Sequence, residues 1–282
     1  MHLFFLFFVF LASFLTAQEK PRVLVSIAPE KFFVERIADD SVVVDVLVPP
    51  GASPHSFEPS PKQIINASRA IIWFRIGEPF EPRAIDVLTS HKPNMIIIDT
   101  RKDIPLLTMD SHAKCKGCSQ HGDDKDTHIW LSPRLAQVQA KTIKDALITA
   151  FPENRELYEK NFCSLIHDLQ DLDKELILLF QSMPVRYILV SHPAFGYLGR
   201  DYNFVQLSLE IEGKDPSSRQ LTELLNKVRS LNLTRVFTQE QYQNKGALLI
   251  AKEINAQIYS VDPYSGDYLN NLKKIGLLFS NH

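Results

Sequence analysis

The chain has 282 residues, of which 45% are hydrophobic and 23% are charged, the proportions of a globular protein rather than of a disordered or fibrous one. At about 150 residues per domain, this length predicts two domains. Thirty-one basic and 33 acidic residues leave a net charge of −2, so the chain has no basic excess for binding nucleic acid through its phosphates. Three cysteines exclude a disulfide scaffold, because they allow at most one internal bridge.

Residues 1–17 are predicted to be a signal peptide. The apolar run over residues 3–15 falls short of the about 20 residues that span a bilayer, and Ala17 offers a small residue for cleavage. The alternative is an uncleaved anchor, because His2 is the only basic residue before the run. No cysteine follows Ala17, so we expect an exported, soluble periplasmic protein that begins near Gln18 rather than a lipoprotein.

From residue 22 to residue 99, short apolar runs alternate with helical segments, which indicates βαβ units and a parallel sheet. The predicted strands are Arg22–Ile27, Val42–Val48, Ala70–Phe74 and Met95–Asp99. The aromatic residues Trp73 and Phe74 are expected in the core. A polar loop over residues 110–127 then interrupts the alternation, because its central part, SHAKCKGCSQHGDDKD, has no apolar periodicity.

A single apolar stripe with helical spacing predicts one long helix over Glu153–Ser182, in which Cys163 is expected to be a small buried residue. Strands then return at Tyr187–Val190, Phe204–Leu207, Arg235–Phe237 and Gln257–Val261. The predicted fold class is α/β, with two lobes that each contain a four-stranded parallel sheet flanked by helices. The predicted domains are an N-terminal lobe (18–150), a rigid linking helix (151–183) and a C-terminal lobe (184–282).

Three of the nine histidines, His55, His128 and His192, lie just after a strand or at the end of the polar loop, and Asp262 also follows a strand. The carboxyl ends of parallel strands are where open α/β sheets bind ligands. Three imidazoles and one carboxylate make a tetrahedral set that suits Zn²⁺. A single loop histidine is more often structural or exposed, so spacing alone does not establish a metal site.

Three segments around these histidines strengthen the case: PGASPHSFEPSP (50–61), THIWLSP (127–133) and SHPAFGY (191–197). Together they resemble the metal-binding solute-binding proteins of ABC importers, in the zinc-uptake (ZnuA-like) branch. The resemblance runs in order along nearly the whole chain after residue 17. It implies two α/β lobes bridged by a long helix, with a metal in the cleft between them.

The resemblance also implies site residues. The histidine of each motif is a ligand, which gives His55, His128 and His192. Asp262 matches the carboxylate that is the fourth ligand in some members, while Glu58 or a water takes that place in others. Three histidines favour Zn²⁺, with Mn²⁺ or Fe²⁺ as alternatives. Glu240, at a strand end, is either a support for a ligand histidine or a surface carboxylate.

Zinc-binding members of this family often carry a metal-capturing loop before the second ligand. Here the loop offers a weak site made of His112, Cys115, Cys118 and His121. The alternative is a solvated loop whose two cysteines form a disulfide.

The function expected from the resemblance is a monomeric periplasmic receptor that binds zinc and delivers it to the permease and ATPase of an ABC importer. Alternatives are a manganese or iron receptor of the same family, an adhesin with a structural metal, and a secreted zinc hydrolase. Three histidines with an open position are also a catalytic arrangement. The sequence HExxH is absent, however, and no nucleophile motif is present, so we do not expect an enzyme.

Overall fold

Two parallel sheets with the same strand order form the framework of the protein. The computed structural model describes residues 19–108, 125–210, 217–242 and 245–281. The first sheet has the order β2-β1-β3-β4 and the second the order β6-β5-β7-β8. The strands are β1 Arg22–Val25, β2 Val43–Val46, β3 Ile72–Arg75, β4 Ile96–Asp99, β5 Tyr187–Val190, β6 Val205–Ser208, β7 Arg235–Thr238 and β8 Gln257–Ser260. This confirms the predicted α/β class.

Helices follow most of the strands, as a right-handed parallel topology requires. They are α1 Ala28–Ala38, α2 Pro61–Ala67, α3 Glu81–His91, α4 Pro133–Ala150, α5 Arg155–Gln181, α6 Gly196–Tyr202, α7 Ser218–Ser230, α8 Lys245–Glu253 and α9 Tyr268–Ser280. Among the described residues, none of these helices combines the length and the apolar character needed to cross a membrane.

In each sheet the chain reverses its direction of winding after the second strand. In the first sheet, β2 lies on one side of β1, and β3 and β4 lie on the other side. In the second sheet, β6 lies on one side of β5, and β7 and β8 lie on the other. The carboxyl ends of the strands at such a switch point form a crevice in which ligands bind. The loops after β2, β3, β5 and β6 therefore all start at the crevice edge of their sheets.

The long helix is present, as predicted, with a small change at its start. Pro152–Asn154 forms a 3₁₀ turn, and α5 follows it without an internal Gly or Pro. Its buried stripe is Tyr158, Leu165, Leu169, Leu172, Leu176 and Phe180. The expectation for Cys163 was wrong: the residue is exposed, because it lies on the helix face opposite Leu165.

Helix α5 packs against α1 and α4 of the first lobe and against α6 and α9 of the second. One apolar core continues through these contacts from Trp73 and Phe74, both fully buried as predicted, to Phe279. The lobes also touch directly, because the ring of Tyr268 lies 4.9 Å from that of Phe33. A hinge between the lobes would have to break this shared core.

We therefore expect the two lobes to keep their relative orientation when a ligand binds in the crevice. Small-angle scattering of the protein with and without saturating Zn²⁺, the metal that the sequence predicts, should give the same radius of gyration. A clear decrease with Zn²⁺ would show that the lobes close about a hinge and that the shared core does not restrain them.

Candidate metal centre

Three histidines from separate loops meet in the crevice between the lobes. His55 lies in the 3₁₀ turn Pro54–Ser56 after β2, His128 directly precedes the 3₁₀ turn Ile129–Leu131, and His192 follows β5. Their ring centroids are 5.0 to 5.2 Å apart. Each ring offers a nitrogen within 4.8 Å of the other two, and within the described ranges no other His, Cys, Asp or Glu side chains form such a group of three or more.

A carboxylate holds the Nδ1 atom of each of these imidazoles. The pairs are Glu78 with His55 at 2.7 Å, Asp126 with His128 at 2.8 Å, and Glu210 with His192 at 2.5 Å. A carboxylate accepts hydrogen bonds, so in the neutral ring Nδ1 carries the proton and Nε2 keeps a lone pair. This is the arrangement that orients histidines for a metal and makes them stronger donors.

Two of the Nε2 atoms have no hydrogen-bond partner although they are buried. These are the Nε2 atoms of His55 and His192. A buried polar atom without a partner is rare in folded proteins and costs roughly 1–3 kcal/mol. A metal ion bound between the rings would satisfy both lone pairs at once.

The Nε2 atom of His128 faces a tyrosine instead. The Tyr264 hydroxyl lies 3.2 Å from this nitrogen, and the Tyr242 hydroxyl lies 2.8 Å from that of Tyr264. Burial raises the pKa of Tyr264 well above its ordinary value, so the hydroxyl stays protonated and donates a hydrogen bond to the nitrogen. Tyr242 also stacks on the His192 ring at 3.9 Å. A metal that takes all three Nε2 atoms must displace the Tyr264 hydroxyl.

Glu78 is positioned by the loop that follows β3. The carboxylate of Glu81 accepts hydrogen bonds from the backbone N–H groups of Ile76 (2.9 Å) and Gly77 (2.6 Å). Gly77 has a φ of +91°, and a Cβ there would collide with the Arg101 guanidinium that covers it. Glycine at this position lets the loop turn and bring Glu78 against His55.

His192 is positioned by Gln239, at the end of β7. The Gln239 carbonyl accepts hydrogen bonds from the His192 N–H (2.8 Å) and the Ser191 hydroxyl (2.7 Å), and its NH₂ donates to the His192 carbonyl (2.9 Å). All three residues are buried. The side chain that supports His192 is therefore Gln239. Glu240, for which the sequence left a supporting role and a surface position open, is exposed.

Neither candidate for the fourth ligand lies within the histidine group. The Asp262 carboxylate accepts hydrogen bonds from the Gln241 amide (2.8 Å) and the Tyr264 N–H (2.9 Å), and so stabilises the turn that places Tyr264. Glu58 is exposed and lies 3.7 Å from Arg83. The residues of the predicted weak loop site, His112, Cys115, Cys118 and His121, lie outside the described residues.

The charged neighbours change the proton affinities of the ligands. Burial alone would lower the pKa of His55, but the hydrogen bond and charge of Glu78 outweigh it, so this pKa is raised from 6.5. Burial alone would raise the pKa of Glu78, but the same pairing lowers it. Burial and the charges of His128 and His55 lower the pKa of His192 well below 6.5. Between these two histidines, His55 holds its proton more strongly than His192 in competition with a metal.

Sequence reasoning missed the groups that hold the three ligands. Glu78 and Glu210 are single acidic residues after strands and resemble surface residues in the sequence. Asp126 belongs to the polar run of the predicted loop, yet it is only 3% exposed. The signal in the sequence was its position two residues before His128. At this spacing one carboxylate oxygen accepts hydrogen bonds from both the His128 N–H (2.9 Å) and the His128 ring.

Comparisons with known proteins agree with this geometry. The profile of the family described as "Zinc-uptake complex component A periplasmic" matches residues 23–276. A crystal structure of ZnuA superposes with a TM-score of 0.86 at 36% identity, covering 93% of this chain and 99% of that one. A zinc-bound deletion mutant of ZnuA gives a TM-score of 0.85 at 36% identity, covering 93% and 98%. The high-affinity zinc uptake system protein ZnuA of Bacillus subtilis is 29% identical over 254 residues, which are 88% of this chain and 80% of that protein.

The pairing of Glu78 with His55 predicts a specific pH dependence of metal binding. In Glu78→Gln the amide still accepts the Nδ1 proton but has no charge, so the pKa of His55 falls. We expect Zn²⁺ affinity to drop by about 10-fold at pH 8, where the lost charge makes His55 a weaker donor. The difference in affinity from the wild type should shrink toward pH 6. As the pH falls, His55 of the wild type is protonated at a higher pH than His55 of the variant, and this proton competes with the metal.

Chelator-competition titrations at pH 8, 7 and 6 measure this effect. Glu35→Gln, which neutralises a half-exposed carboxylate on α1, serves as a control and should match the wild type at each pH. A difference between Glu78→Gln and the wild type that stays constant with pH would contradict the argument.

Proposed function

The chain belongs to the periplasmic zinc-uptake complex component A family, and from this premise we propose that it captures Zn²⁺ in the periplasm and passes it to the permease and ATPase of an ABC importer. Proteins of this family are solute-binding proteins, so the hydrolase alternative is not favoured. The observation that carries the proposal is the pair of buried, unpartnered Nε2 atoms on His55 and His192. They belong to rings whose other nitrogen is already held by a carboxylate.

We propose that Zn²⁺ binds the Nε2 atoms of His55, His128 and His192. Nitrogen donors favour Zn²⁺ over Mn²⁺, which prefers oxygen. The three supporting carboxylates bring negative charge close to the site without occupying a coordination position. They stabilise the bound cation, while the atoms that coordinate it directly are neutral nitrogens. The site therefore keeps its preference for Zn²⁺ over Mn²⁺.

For the fourth position we propose a water rather than Asp262 or Glu58. The Oδ1 atom of Asp262 already accepts hydrogen bonds from Gln241 and the Tyr264 N–H, and the residue lies outside the group of three histidines. The Glu58 side chain is 69% exposed and pairs with Arg83. The Tyr264 hydroxyl, freed from His128 when the metal binds, is available to a water at this place.

Alanine substitutions test the ligand set. His55→Ala, His128→Ala and His192→Ala should each weaken Zn²⁺ binding by more than about 100-fold, because the loss of a ligand exceeds the 10- to 100-fold effect of losing a supporting group. Titration of the purified protein with Zn²⁺, Mn²⁺ and Fe²⁺ under chelator competition measures the affinities and the order of preference.

The matched control is His167→Ala, because His167 is an exposed histidine on α5 and should not affect binding. Asp262→Asn and Glu58→Gln test the fourth position, and each should stay within about 3-fold of the wild type. A 100-fold loss in Asp262→Asn would make that residue a ligand. Delivery is tested by the growth of cells at scarce zinc when this protein replaces their own receptor, with and without the permease.

A further inference from the structure

Asp126, which holds the ligand His128, is itself enclosed by residues of the other lobe. Its Oδ1 atom accepts hydrogen bonds from the His128 N–H (2.9 Å) and ring (2.8 Å). Its Oδ2 atom lies against Gly196 of the second lobe, where an added Cβ would come within 2.8 Å of it. The carboxylate cannot move aside freely, because its other oxygen is engaged and the residue is only 3% exposed.

The next residue, Tyr197, fixes the backbone of the same aspartate. Its hydroxyl donates to the Asp126 carbonyl (2.7 Å) and accepts from the Leu107 N–H (2.9 Å). The Asp126 N–H in turn donates to the Leu107 carbonyl (2.8 Å). Tyr197 is fully buried, and burial raises its pKa to about 12, so the hydroxyl remains a donor. One hydroxyl of the second lobe thus joins two segments of the first.

Gly196 and Tyr197 are the first residues of α6, directly after the loop that carries His192. Gln239 holds the start of this loop at Ser191 and His192, and the Gln206 side chain accepts the Phe195 N–H (2.9 Å) near its end. The segment 191–197, which comprises this loop and the start of α6, is therefore attached to the second sheet near both of its ends. Its first part carries one ligand, and its last part contacts the support of another.

We propose that Gly196 and Tyr197 are positioning residues for the metal site. Through Asp126 they set the orientation of His128, so that the segment 191–197 of the second lobe fixes a proposed ligand from each lobe. The inference rests on the proposed metal-binding function. In this proposal Gly196 acts through its small size and Tyr197 through its hydroxyl. Both residues position Asp126, and neither is a ligand.

Gly196→Ala and Tyr197→Phe test the proposal. The added methyl group displaces the Asp126 carboxylate, and the phenylalanine removes both backbone hydrogen bonds while its ring keeps the apolar packing. Each change should weaken Zn²⁺ binding by about 10-fold, the lower range for the loss of a supporting group. The matched controls are Gly246→Ala, in open space on α8, and Tyr202→Phe, which loses a hydroxyl bonded to Asp173; both should bind like the wild type.

A spectroscopic readout separates positioning from a general loss of stability. In metal-free protein with ¹⁵N-labelled histidines, the Nδ1–H signal of His128 should shift or broaden in both variants, while those of His55 and His192 stay unchanged. In an Asp126→Ala background, Gly196→Ala should cause no further loss of affinity, because the carboxylate that it displaces is absent.

Wild-type affinity and an unchanged His128 signal in both variants would overturn the proposal. So would a further loss of affinity when Gly196→Ala is added to Asp126→Ala. If the wild-type protein bound no Zn²⁺, the proposed function would fail, whereas the His128 signal in the metal-free protein would still test the positioning.

Discussion

The hydrogen bond between a carboxylate and the Nδ1 atom of each histidine is the interaction on which the site depends. It fixes which ring nitrogen carries the proton, and it turns the lone pair of Nε2 toward a common point. Without it a neutral imidazole could expose either nitrogen, and three flexible rings would have to be ordered by the metal itself. The fold therefore orders the three rings by itself, so part of the conformational entropy that metal binding would otherwise cost is lost on folding.

The two-sheet architecture explains how six such groups from distant parts of the chain meet. Each sheet places its switch point at the crevice, and the loops after β2 and β3 bring His55 and Glu78 together there. The loops after β5 and β6 do the same for His192 and Glu210 in the second lobe. Helix α5 and the core that continues through it keep the two edges facing each other, so the distance between the pairs is set by packing.

Most of the fold could be predicted from the sequence, because short apolar runs bounded by Pro, Gly and polar residues leave few alternatives to buried parallel strands. The three histidines could be selected as candidates because each stands in a motif of the family, and the first and third of these motifs are long and specific. Their partners could not, since one acidic residue after a strand looks the same whether it faces solvent or a ligand. Asp262 illustrates the converse: its residue type and place suit a ligand, but the tight turn before Tyr264 engages its carboxylate. Whether an acidic residue faces a histidine, a backbone N–H or solvent depends on the direction of its side chain, which the sequence pattern does not predict.

Two tyrosines cover one of the three Nε2 atoms of the site. The hydroxyl of Tyr242 donates to that of Tyr264, which donates to the Nε2 atom of His128, so two ligand atoms remain open and one is covered. A metal that binds as proposed would meet His55 and His192 first and would gain His128 when one hydroxyl turns away. That rearrangement involves a side chain rather than a lobe, which agrees with a core that is continuous between the lobes. Release can follow the same path in reverse: Tyr264 takes His128 back as the metal leaves, so the buried nitrogen is not left without a partner.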